Sequence, residues 1–210
     1  DGSVYVRRND EKPVYVAEGG VRFTLSKKTF DLRDKTPFAV DEAKIKTLAV
    51  KSLNNDFVLE RVEKLWNFVK PTQEPADVTS VSSMISAVAQ ERAQRFPDDT
   101  PAMRAELGFD KPFVDATYTL TDGKIVRLRV VRLAGDAGER WVGLREDADG
   151  AVLAELGGGA GQLDRNPADL KDKTIVRFRR EAVTKLVFHD PASGPDVVLE
   201  KDSVDASAEA

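Results

Sequence analysis

The hexamer Asp31-Leu32-Arg33-Asp34-Lys35-Thr36 returns almost letter for letter as Asp169-Leu170-Lys171-Asp172-Lys173-Thr174. Six residues can coincide by chance, so the flanks decide. Downstream and without a gap, Val40 falls on Phe178, Ile45 on Val183, Leu48 on Leu186 and Val50 on Phe188. After a turn two residues longer in the second copy, Phe57-Val58-Leu59-Glu60 meets Val197-Val198-Leu199-Glu200. Upstream, with a slip of one residue, Val14-Tyr15-Val16-Ala17-Glu18 meets Ala151-Val152-Leu153-Ala154-Glu155. An internal repeat constrains the fold more than any other pattern, because one backbone plan has to accept both copies.

The chain of 210 residues has room for one large or two small domains, and its 41% hydrophobic and 32% charged residues read as an ordinary globular protein. A formal charge of -4 supplies no field to attract a polyphosphate, so nucleic acid is not an expected partner. No window approaches the ~18 to 20 consecutive apolar residues of a membrane-spanning helix. The start, Asp1-Gly2-Ser3-Val4-Tyr5-Val6, lies almost inside a strand pattern without an initiator Met, so the chain is expected to be cut from a longer one that carries any targeting segment. With Cys at 0, thiol catalysis, disulfides and thiolate metal sites are excluded.

The expected fold class is α+β: a repeat of antiparallel β-meanders, with one long and several short helices packed on the sheets. Val- and Tyr-rich segments at 3–8 and 13–17 flank a turn and predict a hairpin. A short helix is expected over 21–30, leading to the first hexamer, whose Leu32 is expected to plug the core. Alternation over 46–51, 57–61 and 65–69 predicts three strands, and Pro71 and Pro75 end the meander. Asp77 is the expected N-cap of the long helix, which places Val81, Met84, Ile85 and Val88 on one face. A second, short helix over 102–107 closes at Gly108. Val114, Ala116, Tyr118 and Leu120 alternate with polar residues, and Asp122-Gly123 predicts a two-residue hairpin turn with both backbone angles positive. Val126, Leu128 and Val130 carry the buried face of the return strand, with Arg127 and Arg129 outside. Segments 141–146 and 151–156 predict another hairpin. Residues 1–70 read as the back half of one repeat unit, 71–201 as a second, nearly complete unit, and 202–210 as a disordered tail.

Each chemical candidate has a plainer rival. His189 is the sole histidine and stands beside Asp190, but its repeat counterpart is Lys51 on the solvent side of a strand, so it reads as a surface imidazole. Gly157-Gly158-Gly159-Ala160-Gly161 lacks the ending of a P-loop and the spacing of a dinucleotide fingerprint, and reads as a flexible connector. Arg177, Arg179, Arg180 and Lys185 continue the cations Lys171 and Lys173 into the most basic window, where the first copy instead has Asp41 and Glu42. Such a run suits an acidic partner, a polysaccharide or a lipid headgroup, or more commonly a solvated strand edge. Asp31, Leu32, Arg33, Asp34, Lys35 and Thr36, with Asp169, Leu170, Lys171, Asp172, Lys173 and Thr174, form the structural repeat motif. It reads as a joint in which carboxylates cap backbone amides and pair locally with cations. No catalytic residue, metal ligand or cofactor is expected.

Several features in order complete the reading: Trp66 to Pro71 at the end of a meander, Pro75-Ala76-Asp77 opening a helix, Leu107-Gly108-Phe109-Asp110-Lys111-Pro112 before a hairpin, and Asp-Leu-Arg/Lys-Asp-Lys after another. Together they resemble, in tandem, a bacterial domain family of unknown function that accompanies gliding-motility-type ABC transporters and their auxiliary proteins. The chain departs from it at Phe109, where Leu is common. The resemblance implies an extracytoplasmic protein on the periplasmic side, tethered to the inner membrane in its full length, without known catalysis. It also implies a transporter or auxiliary envelope protein as partner. The first expectation is therefore a non-enzymatic accessory or scaffold module. The alternative is an envelope glycan-binding module using exposed Trp66 or Trp141 with nearby Arg. A hydrolase is the third and least supported reading.

Overall fold

The computed structural model describes residues 2–135, 138–174, 178, 180–189 and 194–201. Its elements in chain order are β1 (Val4–Val6), β2 (Tyr15–Ala17), α1 (Gly20–Leu25), α2 (Thr29–Leu32), β3 (Ile45–Ser52), β4 (Asp56–Val62), β5 (Leu65–Lys70) and β6 (Glu74–Pro75). There follow α3 (Val78–Ala89), α4 (Pro101–Glu106), β7 (Val114–Leu120), β8 (Ile125–Leu133), β9 (Arg140–Asp147), β10 (Gly150–Leu156), α5 (Pro167–Leu170), β11 (Lys185–Phe188) and β12 (Val197–Glu200). Short 3-10 turns occupy Glu42–Lys44, Gly159–Asp164 and Arg180–Ala182. The class is α+β, as expected.

An antiparallel eight-stranded sheet, ordered β10-β9-β8-β7-β3-β4-β5-β6, is the centre of the fold. Its inward face carries Leu48, Val50, Phe57, Leu59, Trp66, Phe68, Val114, Ala116, Tyr118, Leu128 and Val130, all buried against Val81, Met84, Ile85 and Val88 of α3. Period-two alternation in the strands and helical spacing in α3 point these residues into one layer. The opposite face holds a smaller cluster of Phe109, Val131, Val142, Leu144 and Leu153, with Met103 and Leu107 packed on it.

The helix ends follow their caps. Asp77 accepts the amide of Ser80 at 2.7 Å and opens α3, while Thr100 accepts that of Met103 at 3.1 Å and opens α4. Gly108, at φ +83, closes the second of these. The 121–124 turn differs from expectation. Only Gly123 has a positive φ, and the Gly123 amide donates to Leu120 O at 3.0 Å while the Leu120 amide donates to Lys124 O at 2.8 Å. This is a three-residue loop with a glycine bulge, in which Asp122 needs no strained backbone.

Compactness divides the chain at Asp172/Lys173. The strands on either side of residue 70 share one sheet, since β3 pairs with β7. In the second unit β11 and β12 form an antiparallel hairpin. Its register repeats that of β3 and β4: Leu186 faces Leu199 as Leu48 faces Leu59. Ahead of each hairpin stand a one-turn helix and a 3-10 turn, α2 with Glu42–Lys44 and α5 with Arg180–Ala182. The tail 202–210 lies outside the described residues.

Two expectations are corrected here. Leu32 does not plug the core; it is 75% exposed, and the half-buried Phe30 turns inward instead, 5.9 Å from the Phe96 ring. The glycine run is not a flexible connector. The Gly157 amide donates to Glu91 Oε1 at 2.7 Å, Ala160 and Leu163 are buried, and a Cβ on Gly161 would meet the Trp141 ring at 2.9 Å. Glycine is used because backbone and helix approach too closely for a side chain.

Candidate functional site

Both hexamers start on a one-turn helix that ends on the leucine. The following residue is extended in each, Arg33 at φ -73, ψ 148 and Lys171 at φ -70, ψ 143. In the first copy the Asp31 carboxylate accepts the Lys28 amide at 3.0 Å, and Asp34 Oδ1 accepts the Thr36 amide at 2.8 Å and its hydroxyl at 2.9 Å. These donors, with Arg145 and Arg92 nearby, hold Asp34 below the usual carboxylate range.

The two copies grip opposite ends of α3. Around the second, the Asp77 amide donates to Leu170 O at 2.8 Å and the Asp172 amide to Pro75 O at 3.0 Å, while Lys171 Nζ stands 2.8 Å from Glu74 Oε1. The first copy holds the segment just past the helix: the Ala93 amide donates to Lys35 O at 2.8 Å. Arg33 lies over the Phe96 ring at 4.8 Å, and Lys35 over Phe30 at the same distance.

Arg33 and Asp34 also line a cleft of about 560 Å³, together with Phe96, Asp98, Asp99, Arg145, Asp147 and Asp149. The β9-β10 turn supplies Asp147 and Asp149. Arg145 spans the cleft: Nε donates to Asp147 Oδ2 at 2.8 Å, and Nη1 to Pro37 O at 2.8 Å and Ala39 O at 3.2 Å. Asp99 accepts two bonds from Arg104, at 2.5 and 2.8 Å, and is held below the usual carboxylate range chiefly by them. Arg104 also donates to Glu146 Oε1 at 3.2 Å, and Arg129 donates to Glu146 Oε2 at 2.7 Å and to Phe109 O at 2.9 Å. Arg129 was expected outside the sheet; it is half-enclosed under the 107–113 segment. The arrangement fixes ionised groups on the protein's own loops, which suits anchoring better than proton transfer.

Sequence reading missed this network, because Arg104 and Glu146, or Arg145 and Pro37, are far apart in the chain. It also missed Glu42. That carboxylate accepts Trp66 Nε1–H at 3.2 Å and the Ser82 hydroxyl at 2.7 Å, tying β5 to α3. Asp41 and Glu42 thus do structural work where the second copy has basic residues. Of that basic window, Arg177 and Arg179 lie outside the described residues; Lys171 pairs with Glu74, and Lys185 with Glu200 at 2.6 Å.

His189 is exposed and its Nδ1 contacts Asp196, across the turn; Asp190 lies outside the described residues. Trp66 corrects another expectation, being only 1% exposed and part of the core. Trp141 is half-buried, edge-on to Phe113 at 5.4 Å and covered by Arg132. Among the described residues, no group of three or more His, Cys, Asp or Glu is placed to hold a metal ion. No helix among them is long and apolar enough to cross a membrane.

An antiparallel sheet with a helical layer held at both ends by one repeated charged joint defines an α+β module. The chain belongs to the family described as Domain of unknown function (DUF4340), which matches residues 1–74 and 66–209. No curated protein and no solved structure matches it.

Proposed function

We propose that the chain is a non-catalytic, extracytoplasmic accessory or scaffold module of an envelope system linked to a gliding-motility-like ABC transporter. The resemblance carried by the Trp66-to-Pro71, Pro75-Ala76-Asp77 and Leu107-to-Pro112 features and the paired hexamers supports the reading. The observation that carries its non-catalytic part is the engagement of Arg145 and Arg104. Each guanidinium ties together segments distant in the chain, so these charges hold loops in place. The partner is a membrane transporter or an auxiliary envelope protein. The module stands on the periplasmic side, tethered to the inner membrane in the full-length protein.

The test is isolation of the full-length protein from membranes in mild detergent, with a topology reporter fused to this module. Co-elution with a permease and a periplasmic reporter signal are expected. A cytoplasmic signal, or clean separation from every permease, overturns the reading. The rival glycan-binding module retains only Trp141, whose ring already packs against Phe113 and Gly161. Glycan-array binding that disappears in Trp141→Ala would favour that rival.

A further inference from the structure

The hairpin of β11 and β12 repeats the pairing of β3 and β4 position by position. Val187 faces Val198 where Ala49 faces Val58, and Phe188 faces Val197 where Val50 faces Phe57. At the last of these the large and small partners have changed strands while the pair keeps its combined volume. A shared core position imposes that compensation; a solvent-facing one does not.

Their environments differ sharply. Leu48, Phe57 and Leu59 are 0% exposed, whereas Leu186 is 43%, Val197 57% and Leu199 54% exposed. A two-stranded hairpin open on both faces is marginal in water, and its edge presents unpaired main-chain groups. What completes the first hairpin is visible in the same molecule. β7 adds to β3 antiparallel, with Ala116 opposite Val50, Tyr118 opposite Leu48 and Asp115 opposite Lys51.

We propose that β11 is a strand-addition site, and that its occupant is the β7-β8 hairpin of another unit of this family, one whose β7 edge is not covered by a β3 of its own as it is here. The occupant's edge strand alternates Val, Ala and Tyr with Asp and Thr, as β7 does. Main-chain bonds along β11 supply affinity, and alternate side chains supply specificity. In the register of β7 on β3, the small Ala116 position falls opposite the large Phe188. The Asp115 position falls opposite His189, which stands where the first copy has Lys51. This inference goes beyond the envelope assignment and does not depend on it.

The experiment titrates the whole 210-residue chain with a synthetic peptide spanning Phe113–Leu133, the β7-β8 hairpin. It reads fluorescence anisotropy and amide hydrogen exchange. Saturable one-to-one binding is expected, with exchange at Lys185–Phe188 slowed by about tenfold or more. A scrambled peptide and Leu186→Asp should both abolish it. Because Leu186→Asp can open the hairpin by itself, a second variant, Phe188→Val with Val197→Phe, restores the arrangement of β3 and β4 and should keep binding. Absence of saturable binding overturns the proposal, as does protection that appears on β3 instead of β11. Protection of β11 through self-association without peptide overturns it too, since β7 of a second copy is already paired with its own β3 and is not the cover.

Discussion

Leu32 and Leu170 end one-turn helices that leave with nearly the same backbone angles, yet Leu170 is 0% and Leu32 75% exposed. The local plan is shared and the burial is not. Leu170 sits under α3, whose N-cap residue donates its amide to the Leu170 carbonyl. Among the described residues, no such helix lies over Leu32, which is exposed.

Leu170→Ala is accordingly expected to destabilise the first unit by about 2–5 kcal/mol, the range for deleting a fully buried leucine. Leu32→Ala should stay within about 0.5 kcal/mol of the parent. Urea unfolding followed by tryptophan fluorescence measures both, since Trp66 reports on the core.

Gly159→Ala is expected to destabilise by about 1–3 kcal/mol through overpacking. The new Cβ would lie 2.9 Å from the Ala87 carbonyl oxygen, which is backbone and cannot swing away. Adding Glu91→Ala clears the nearer carboxylate contact but leaves that carbonyl and removes the Gly157 hydrogen bond, so stability is not restored. Gly20→Ala meets nothing within 4 Å and serves as the neutral control. Thermal melts of the three variants distinguish a packed glycine run from a loose one.

Stability is expected to fall at both ends of the pH scale for different reasons. Hydrogen bonds hold Asp34, Asp99 and Glu74 below their ordinary values of 3.8, 3.8 and 4.5. Their stabilisation is present above those values and disappears as pH drops through the lower folded-state ones. Asp99→Asn should flatten the acid limb of stability against pH. Burial pushes the Tyr118 phenol up from 10.0, so the unfolded state loses this proton first and stability declines as pH rises past 10.0. Tyr118→Phe should remove that alkaline component.

Asp77→Ala and Thr100→Ala each remove a side-chain acceptor from a helix start and should destabilise by about 1 kcal/mol. Because α3 covers the main sheet, the Asp77 variant should shift the global denaturant midpoint. The Thr100 variant should act first on α4, as faster amide exchange over Pro101–Glu106.

Much of the architecture was legible in the residues. Alternation in 46–51, 114–120 and 126–130 placed side chains on the correct faces because strand geometry is local. Asp77, Gly108 and the spacing of Val81, Met84, Ile85 and Val88 marked helix ends and face for the same reason. The cleft was not legible: Arg145 meets Pro37, and Arg104 meets Glu146, only once the sheet has closed. Trp66 misled because a bulky aromatic near Arg fits a glycan site as well as a core, and its partner Glu42 lies on a separate turn.

By itself the sequence determined which backbone shapes recur, including the one-turn helix ending on leucine and the hairpin that pairs Leu48 with Leu59 and Leu186 with Leu199. Only the tertiary structure decided which of these copies is covered, which carboxylates are pinned, and which glycines are pressed against a helix. Backbone preference acts within a few residues, whereas burial and ion pairing depend on surfaces brought together from positions tens of residues apart.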